Sequence, residues 1–355
     1  MITHEVTMGQ AERLLPYYLA RRQPAMLWGS PGIGKSQLVY QMAANAGPWV
    51  SQLGALGEAA ALKRAMEQGV SLIDYRVSLR DPVDMMGIPV PCPETGRMIW
   101  LNPDELPQVD RDGHYGLLFT DEINAANSAM MAACLGLVLD GKIGGYRLPP
   151  GWIVVAAGNK TSDRASAQRM SSALLSRFAN LYVSHDVPSF TRYANRIGMR
   201  QEIVAFLRFR LELLYGTPSS DGPYPTPRGW ERVAGYLDTP DDVRMHLIAG
   251  LVGADAAAQI CAFMDLYKTI QSLDDIIADP VSAAVPQEAS LRWAVVTGLG
   301  RMAKRSNMDS IVTYAQRLPR EAEVMLVHDA VQRDETCKNT AAFGQWAARN
   351  ASVLI

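Results

Sequence analysis

The feature that most constrains the fold of this chain is a stretch of eight residues, Gly29 to Ser36, which matches the pattern G-x-x-x-x-G-K-[ST] at every fixed position. The apolar run 24–28 before it predicts a buried strand, and residues 37–46 after it predict a helix. In a strand–loop–helix of this kind, backbone N–H groups of the loop point at an anion and the helix N-terminus adds positive potential. The stretch therefore predicts a phosphate-binding loop within an α/β fold.

Two side chains of this loop carry specific expectations. Lys35 is expected to reach the β- and γ-phosphates of a nucleoside triphosphate, and the Ser36 hydroxyl is expected to ligate Mg²⁺. The predicted nucleotide-binding residues are those of the loop and of the position after it: Gly29, Ser30, Pro31, Gly32, Ile33, Gly34, Lys35, Ser36 and Gln37.

Composition narrows the class of protein. The chain has 355 residues, of which 48% are hydrophobic and 20% charged, and this is typical of a globular protein with two or three domains. A formal net charge of −2 counts against a protein built mainly to bind nucleic acid, although it leaves open a local basic channel in an oligomer. The four cysteines form no C-x-x-C pair, so we expect reduced thiols rather than a disulfide framework or a zinc site.

Targeting signals are not visible in the sequence. The first residues lack the charged and apolar regions of a signal peptide, and no apolar run is long enough to span a bilayer. We therefore expect a soluble, cytoplasmic protein without a membrane segment.

Two adjacent carboxylates follow the apolar run 116–120, which predicts a second buried strand. In a protein with a phosphate-binding loop, the aspartate at this strand end holds Mg²⁺, and a neighbouring glutamate can deprotonate the attacking water. Asp121 is therefore the expected metal partner and Glu122 the expected general base. The alternative is a solvated pair that caps the helix predicted over 125–139.

A third strand, predicted over 152–158, ends in the amide of Asn159. Ligands of open α/β sheets bind at the carboxyl ends of the strands, so this amide is expected to bond the γ-phosphate or the attacking water. The segment Asn159-Lys160-Thr161-Ser162 also resembles the guanine-reading pattern N-K-x-D, but Asp163 is displaced from it by one position. We therefore expect ATP rather than GTP.

A segment rich in proline and glycine, residues 84–104, predicts a hairpin insert with its turn near Gly96. Its prolines remove ladder donors, so the insert cannot belong to the central sheet. Either a surface flap or a functional loop that projects from the core fits this composition.

Three arginines follow the predicted catalytic strands. Arg177 lies in the last turn of a predicted short helix, 172–178, which leads into a strand, 181–183. It is either a surface ion-pair residue or a positive charge offered to the γ-phosphate of a neighbouring subunit. Arg169 is a second candidate for that role. Arg228 opens a helix after a linker rich in proline and glycine, where it could move with a lid onto bound nucleotide.

These features stand in a fixed order, which resembles that of AAA+ ATPases and more closely that of the MoxR branch with its dynein-related AAA module. The resembling stretches are 28–36, 81–89, 98–103, 117–124, 139–159, 174–178, 225–233, 250–280 and 318–353, so the resemblance covers nearly the whole chain. Two departures are Thr120, where an apolar residue is more usual, and the long tail beyond residue 300.

The resemblance implies a role for each site residue. Lys35 and Ser36 match Walker A, Asp121 and Glu122 match Walker B, and Asn159 matches sensor 1. Arg177 matches the arginine finger, which acts in trans, and Arg228 matches the sensor 2 arginine. The insert and the turn 142–147 resemble two hairpins that face the pore or the axial surface of a ring.

The resemblance also implies an architecture and a partner. We expect an α/β nucleotide-binding core over residues 1–186, an α-helical lid over 187–295 and a helical C-terminal extension over 296–355. The family forms hexameric rings that hydrolyse ATP with Mg²⁺ and remodel a partner protein, often one with a von Willebrand factor A domain. The alternatives are a nucleic-acid motor or loader, which the lack of a basic stretch interleaved with aromatic residues disfavours, and an assembly switch with little turnover.

Overall fold

The computed structural model describes residues 4–57, 59–160, 168–219, 222–268 and 272–350. The described residues form these strands: β1 (Glu5–Thr7), β2 (Ala25–Trp28), β3 (Ser71–Asp74), β4 (Ile88–Pro91), β5 (Met98–Leu101), β6 (Tyr115–Thr120), β7 (Lys142–Ile143), β8 (Tyr146–Arg147), β9 (Gly151–Gly158) and β10 (Ala179–Ser184).

The helices are distributed along the whole chain and dominate its second half. In chain order they are α1 (Met8–Leu19), α2 (Lys35–Ala44), α3 (Gly47–Val50), α4 (Ala59–Gln68), α5 (Pro82–Met86), α6 (Val109–Asp112), α7 (Ser128–Asp140), α8 (Ser172–Leu175), α9 (Val187–Arg196), α10 (Gln201–Phe209), α11 (Pro227–Val233), α12 (Asp241–Val252), α13 (Ala254–Tyr267), α14 (Leu273–Ala278), α15 (Ala289–Met302), α16 (Met308–Ala315), α17 (Arg320–Arg333) and α18 (Ala341–Arg349).

Six strands form one sheet in the order β1-β10-β2-β9-β6-β3, and every neighbouring pair is parallel. The central strands are continuous apolar runs: all residues of β2, β6 and β9 are buried. Such runs are typical of parallel strands that are covered by helices on both faces. The predicted architecture is confirmed: an α/β core with a parallel sheet, followed by a helical region.

Two element boundaries differ from the sequence prediction. Helix α2 begins at Lys35 rather than at residue 37, because Gly34 adopts a left-handed conformation and forms its N-cap. Strand β1 was not predicted. It has only three residues, and its partner β10 lies more than 170 residues away in the sequence, so no local pattern reveals it.

The proline-rich insert forms a separate antiparallel hairpin of β4 and β5, outside the central sheet as predicted. A second short hairpin, β7 and β8, packs against it through two glycines. A Cβ on Gly145 would lie 2.5 Å from the Cβ of Trp100, and a Cβ on Gly144 would lie 2.4 Å from the carbonyl oxygen of Met86. The second hairpin therefore requires glycine at both positions to approach α5 and β5 this closely.

The chain divides into two compact units, Met1–Ser189 and Phe190–Ile355. The second unit is helical in its described parts, and α14 to α18 share a core that includes Val295, Tyr314 and Trp346. The division predicted between residues 295 and 296 differs from this arrangement, because it falls inside α15 and inside that core. A helix long and apolar enough to cross a membrane is not found in the described parts of the chain.

Candidate functional site

The loop between β2 and α2 depends on its glycines. Gly32 and Gly34 have φ values of 78° and 106°, in the region that residues with a Cβ rarely adopt. A Cβ on Gly29 would lie 2.6 Å from Ile33 Cδ1 and 2.8 Å from the carbonyl oxygen of Val183. The local sequence therefore allows a tight turn, and its last residue leads directly into the first turn of α2.

Lys35 is the first residue of α2, and only 8% of its surface is exposed. Its Nζ donates to the carbonyl oxygens of Gly29 (2.7 Å) and Ser30 (3.0 Å) and to Oδ1 of Asn159 (3.0 Å). The structure thus brings together Lys35 and the polar end of β9, from two motifs that lie 124 residues apart in the sequence.

Ser36 and Asp121 also meet. The Ser36 hydroxyl donates to Oδ2 of Asp121 at 2.7 Å, because β6 ends beside the start of α2. This pair fits Mg²⁺: both are hard oxygen donors, and adjacent ligands of an octahedral Mg²⁺ at about 2.0–2.1 Å lie about 2.9 Å apart. Within the described ranges, no group of three or more His, Cys, Asp or Glu side chains could hold a metal ion. The pair therefore suits a cation whose remaining ligands are phosphate and water.

Glu122 is exposed and has an unusual backbone. Its φ of 52° and ψ of 35° place it in the left-handed region, and its N–H donates to Oδ1 of Asp121 at 2.9 Å. A residue with a Cβ in this region costs roughly 1–3 kcal/mol. The turn that follows β6 therefore has a strained backbone at Glu122, and it carries two consecutive carboxylate side chains, Asp121 and Glu122.

Asn124 is a residue of this site that the sequence prediction missed. Only 1% of it is exposed, and it pairs with the backbone of Asn159: Nδ2 donates to the Asn159 carbonyl (2.8 Å) and Oδ1 accepts the Asn159 N–H (3.1 Å). The amide also fills the space beside Gly158, where a Cβ would lie 2.7 Å from Asn124 Oδ1. The only signal in the sequence is an amide three residues after Asp121.

Arg177 lies at the opposite edge of the sheet. It precedes β10, and its carbonyl accepts from Gln23 Nε2 (2.9 Å), just before β2 begins. From there to Gly29 the chain runs along β2 for about six residues, or roughly 20 Å at the rise of a strand. Its Nη1 donates to Ala173 O (2.9 Å) and Ser176 Oγ (3.0 Å). The structure therefore does not bring Arg177 to the loop of its own chain.

The remaining predicted residues are placed as follows. Arg169 is exposed in the coil before α8. Arg228 is exposed in the first turn of α11, in the second unit, and this helix is capped by Thr226, whose Oγ1 accepts from the Gly229 N–H at 3.0 Å. Thr161, Ser162 and Asp163 lie outside the described residues, so the preference for ATP over GTP stays a prediction.

No protein-family model matches the sequence. Solved structures similar to this chain include NtrX from Brucella abortus, at 13% identity, with 93% of this chain and 69% of that chain covered and a TM-score of 0.40. They also include the Thermotoga maritima RuvB Holliday junction branch migration motor, at 16% identity, with 82% and 80% covered and a TM-score of 0.37. A third is Hsp104 with casein, at 14% identity, with 74% and 46% covered and a TM-score of 0.37. We base no conclusion on similarities of this strength.

Proposed function

We propose that this chain is a Mg²⁺-dependent ATPase that binds ATP on the loop from Gly29 to Ser36 and works in a ring. One observation carries the proposal: the ends of β2, β6 and β9 bring Lys35 into contact with Asn159, and Ser36 into contact with Asp121, at one sheet edge. A lysine, a hydroxyl, a carboxylate and an amide around a glycine turn form the set of groups that phosphoryl transfer requires.

Nucleotide binding would exchange the partners of Lys35. Its ammonium is now held by two loop carbonyls and Asn159, all oxygen acceptors. Phosphate oxygens are stronger acceptors because they are charged. Oxygens of the β- and γ-phosphates would therefore replace some of these three acceptors of the Lys35 ammonium. Residues 29–37 would surround the phosphates and supply backbone N–H groups, except Pro31, which has none, and Gly29, whose N–H donates to the Gly158 carbonyl (3.2 Å). Ser36 and Asp121 would hold Mg²⁺, which neutralises the charge that develops on the phosphates.

Water activation is assigned to Glu122, with Asn159 orienting the water or the γ-phosphate. Glu122 is exposed at the strand end next to Asp121, and so its carboxylate is accessible to water. Asn124 acts as a positioning residue, because its two hydrogen bonds hold the backbone of Asn159 against the turn that carries Glu122. The catalytic base and the orienting amide are thus linked by one buried side chain.

The ring follows from Arg177. At roughly 20 Å from its own loop, this side chain serves a γ-phosphate only if the phosphate belongs to a neighbouring subunit. Arg169 is an accessory candidate for the same role. Arg228 is assigned to the lid, where it would contact bound nucleotide. A hexamer is the stoichiometry that we propose.

A protein is the partner that the insert favours. The exposed side chains of its hairpin are mostly apolar, among them Ile88, Met98 and Leu101. Arg97 is the only cation between residues 84 and 104, against three acidic residues in the same segment. Such a surface suits contact with a protein client, including a von Willebrand factor A domain, and does not suit a phosphate backbone.

The first test separates binding from turnover. Glu122→Gln should bind ATP as the wild type does but hydrolyse it about 10²–10⁴ times more slowly, because the water loses its base. Glu94→Gln, at an exposed site in the hairpin turn, is the matched control and should retain full turnover. The measurements are steady-state ATP hydrolysis and equilibrium ATP binding. Full turnover of Glu122→Gln would show that Glu122 is not the general base.

The second test addresses the ring. Lys35→Ala and Arg177→Ala should each abolish turnover when assayed alone. In a mixture, an intact loop of one chain can face an intact Arg177 of another, so part of the activity should return. A mixture that stays inactive although both variants fold and assemble would contradict an arginine that acts in trans.

A further inference from the structure

Lys160, the residue that follows Asn159, forms an ion pair that the proposed ATPase mechanism does not use. Its ammonium donates to Oε1 of Glu5, in β1, at 2.5 Å. The side chains of Lys160 and Glu5 are 25% and 49% exposed, so this ion pair is partly shielded from water. The two residues lie 155 positions apart in the sequence, and their contact joins the first strand of the chain to the end of β9.

The strand order shows how far this ion pair reaches. Strands β10 and β2 lie between β1 and β9 in the sheet. In register, Glu5 is level with Tyr182, which is level with Trp28. Trp28 is in turn level with Gly158, near the end of β9. Three strand spacings therefore separate Glu5 from Gly158, or roughly 14 Å, and Lys160 must extend across the ends of β2 and β10 to meet its partner.

The phosphate-binding loop leaves the sheet at the strand ends that this ion pair crosses. Gly29, the first residue of the loop, donates its N–H to the Gly158 carbonyl of β9 at 3.2 Å. On its other side, a Cβ on Gly29 would lie 2.8 Å from the Val183 carbonyl oxygen of β10. The start of the loop is therefore enclosed between β9 and β10, and the contact of Lys160 with Glu5 passes from one side of it to the other.

Two further titratable side chains follow β10 next to this ion pair. Partial burial lowers the pKa of His185, and the charge of Lys160 adds to this effect, while the charges of Asp186 and Glu5 oppose it. The imidazole is therefore neutral at neutral pH and does not compete with Lys160 for Glu5. Oδ1 of Asp186 accepts the N–H of Ser189 at 2.8 Å, and its Oδ2 has no hydrogen-bond partner in the described part of the chain. Asp186 is thus a second carboxylate near Lys160.

Asn159 is held from two directions. On the side of β6, Asn124 forms hydrogen bonds with both backbone polar groups of Asn159. On the side of β1, the next residue, Lys160, is bound to Glu5. Between these two contacts, Oδ1 of Asn159 accepts from the Lys35 ammonium at 3.0 Å. The chain is thus fixed both at Asn159 and directly after it, which restricts the direction in which the Asn159 amide points.

We propose that Lys160 and Glu5 are positioning residues of the ATPase site, whose ion pair keeps the Asn159 amide directed at the γ-phosphate or the attacking water. The inference rests on the proposed function, and it gives the three-residue strand β1 a role in turnover. A small displacement of a group that acts in the transition state lowers the rate more than the affinity. Because the ion pair is partly exposed, its loss should change turnover by about fivefold, far less than the loss of a catalytic group.

Lys160→Met tests this role, because it keeps the aliphatic part of the side chain and removes the ammonium, whichever carboxylate it meets. We expect the turnover number for ATP to fall about fivefold, while equilibrium ATP affinity and the melting temperature are kept. Lys160→Arg retains the charge and should restore most of the turnover. Lys63→Met is the matched control: it breaks the exposed ion pair with Glu67 in α4 and should change none of these quantities.

Charge exchange tests the pair itself. Glu5→Lys should lower turnover at least as much as Lys160→Met, and Glu5→Lys/Lys160→Glu should recover most of it, because the ion pair forms again with its charges reversed. Full turnover of Lys160→Met, or a double variant no better than Glu5→Lys, would overturn the proposal. So would a loss of turnover that only follows a loss of melting temperature. A wild-type protein without ATPase activity would contradict both proposals, whereas an active wild type with an unaffected Lys160→Met contradicts this one alone.

Discussion

The phosphate-binding loop and the end of β9 are neighbours that are held in different ways. The loop is built from consecutive residues, and its geometry depends on glycines: Gly29 has no room for a Cβ, and Gly34 has a φ of 106°. Asn159, at the end of β9, is held by side chains from distant parts of the chain: Asn124 bonds its backbone, and Glu5 binds the residue that follows it. One region depends on backbone shape and the other on single side-chain contacts.

This difference predicts how each region fails. A backbone site is cooperative, because one added carbon atom moves every N–H group of the turn. A residue that is held by side chains loses its orientation in steps, because each contact contributes its own hydrogen bonds. The two regions should therefore differ in their response to glycine substitution, to the removal of single polar groups and to salt.

The largest effect is expected from Gly29→Ala. Its new Cβ would lie 2.8 Å from the Val183 carbonyl oxygen, which is backbone and cannot yield, so the turn must shift. We expect ATP affinity to fall about 100-fold or more, on the order of two to three charge-assisted hydrogen bonds. Gly250→Ala, in α12 with open space around it, is the control and should leave binding unchanged. Equilibrium ATP binding is measured for both variants. Normal ATP affinity in Gly29→Ala would show that the loop does not depend on the backbone geometry at this position.

The next effect is expected from Asn124→Ala. The variant loses both hydrogen bonds to Asn159, so turnover should fall about tenfold or more with little change in ATP affinity. Stability should fall by about 1–3 kcal/mol. Asn127→Ala is a matched control from the same segment: it removes the N-cap of α7, where Oδ1 accepts from the Met130 N–H at 2.8 Å, at a cost of about 1 kcal/mol. If both variants lose turnover in proportion to stability, Asn124 has no separate positioning role.

The smallest effect is expected from salt, which should separate the two contacts that hold Asn159. Exposed charges are screened by ions, and the Debye length falls from about 14 Å at 50 mM salt to about 6 Å at 300 mM. The turnover ratio of wild type to Lys160→Met should therefore fall from about fivefold to about threefold over this range. The ratio of wild type to Asn124→Ala should stay constant, because buried neutral hydrogen bonds are not screened. Steady-state ATP hydrolysis measures both ratios, and equal responses to salt would show that the two contacts do not differ in this way.

The same contrast explains what could be predicted from the sequence. Lys35, Ser36, Asp121 and Asn159 each stand in or next to a short pattern at a strand end, and parallel strands bring such ends to one edge. Their contacts therefore followed from local patterns and one topological rule. Asn124 could not be assigned in this way, because its role depends on a pairing with Asn159 that only the register of β6 and β9 creates.

Features that depend on contacts between residues far apart in the sequence could not be predicted. Strand β1 has three residues and exists because β10 offers it an edge. The core shared by α14 to α18 joins residues on both sides of the division predicted at 295, since the helical periodicity of a segment does not show which neighbour it packs against. The ion pair of Lys160 and Glu5 joins residues 155 apart in the sequence, and each of them alone is typical of a solvated surface.

The contact between Asn124 and Gly158 restricts the order in which mutations can accumulate at these two positions. A side chain at position 158 meets the Asn124 amide at 2.7 Å, so a mutation there is blocked while that amide is present. Shortening position 124 removes this contact but releases Asn159, and the end of the Met26 side chain, whose Cε would lie 2.6 Å from the new Cβ, must move as well. A lineage could therefore fill position 158 only by passing through a variant with a loosened site. A side chain at position 158 should be accepted only together with a shorter residue at position 124, and saturation mutagenesis of both positions would show this dependence.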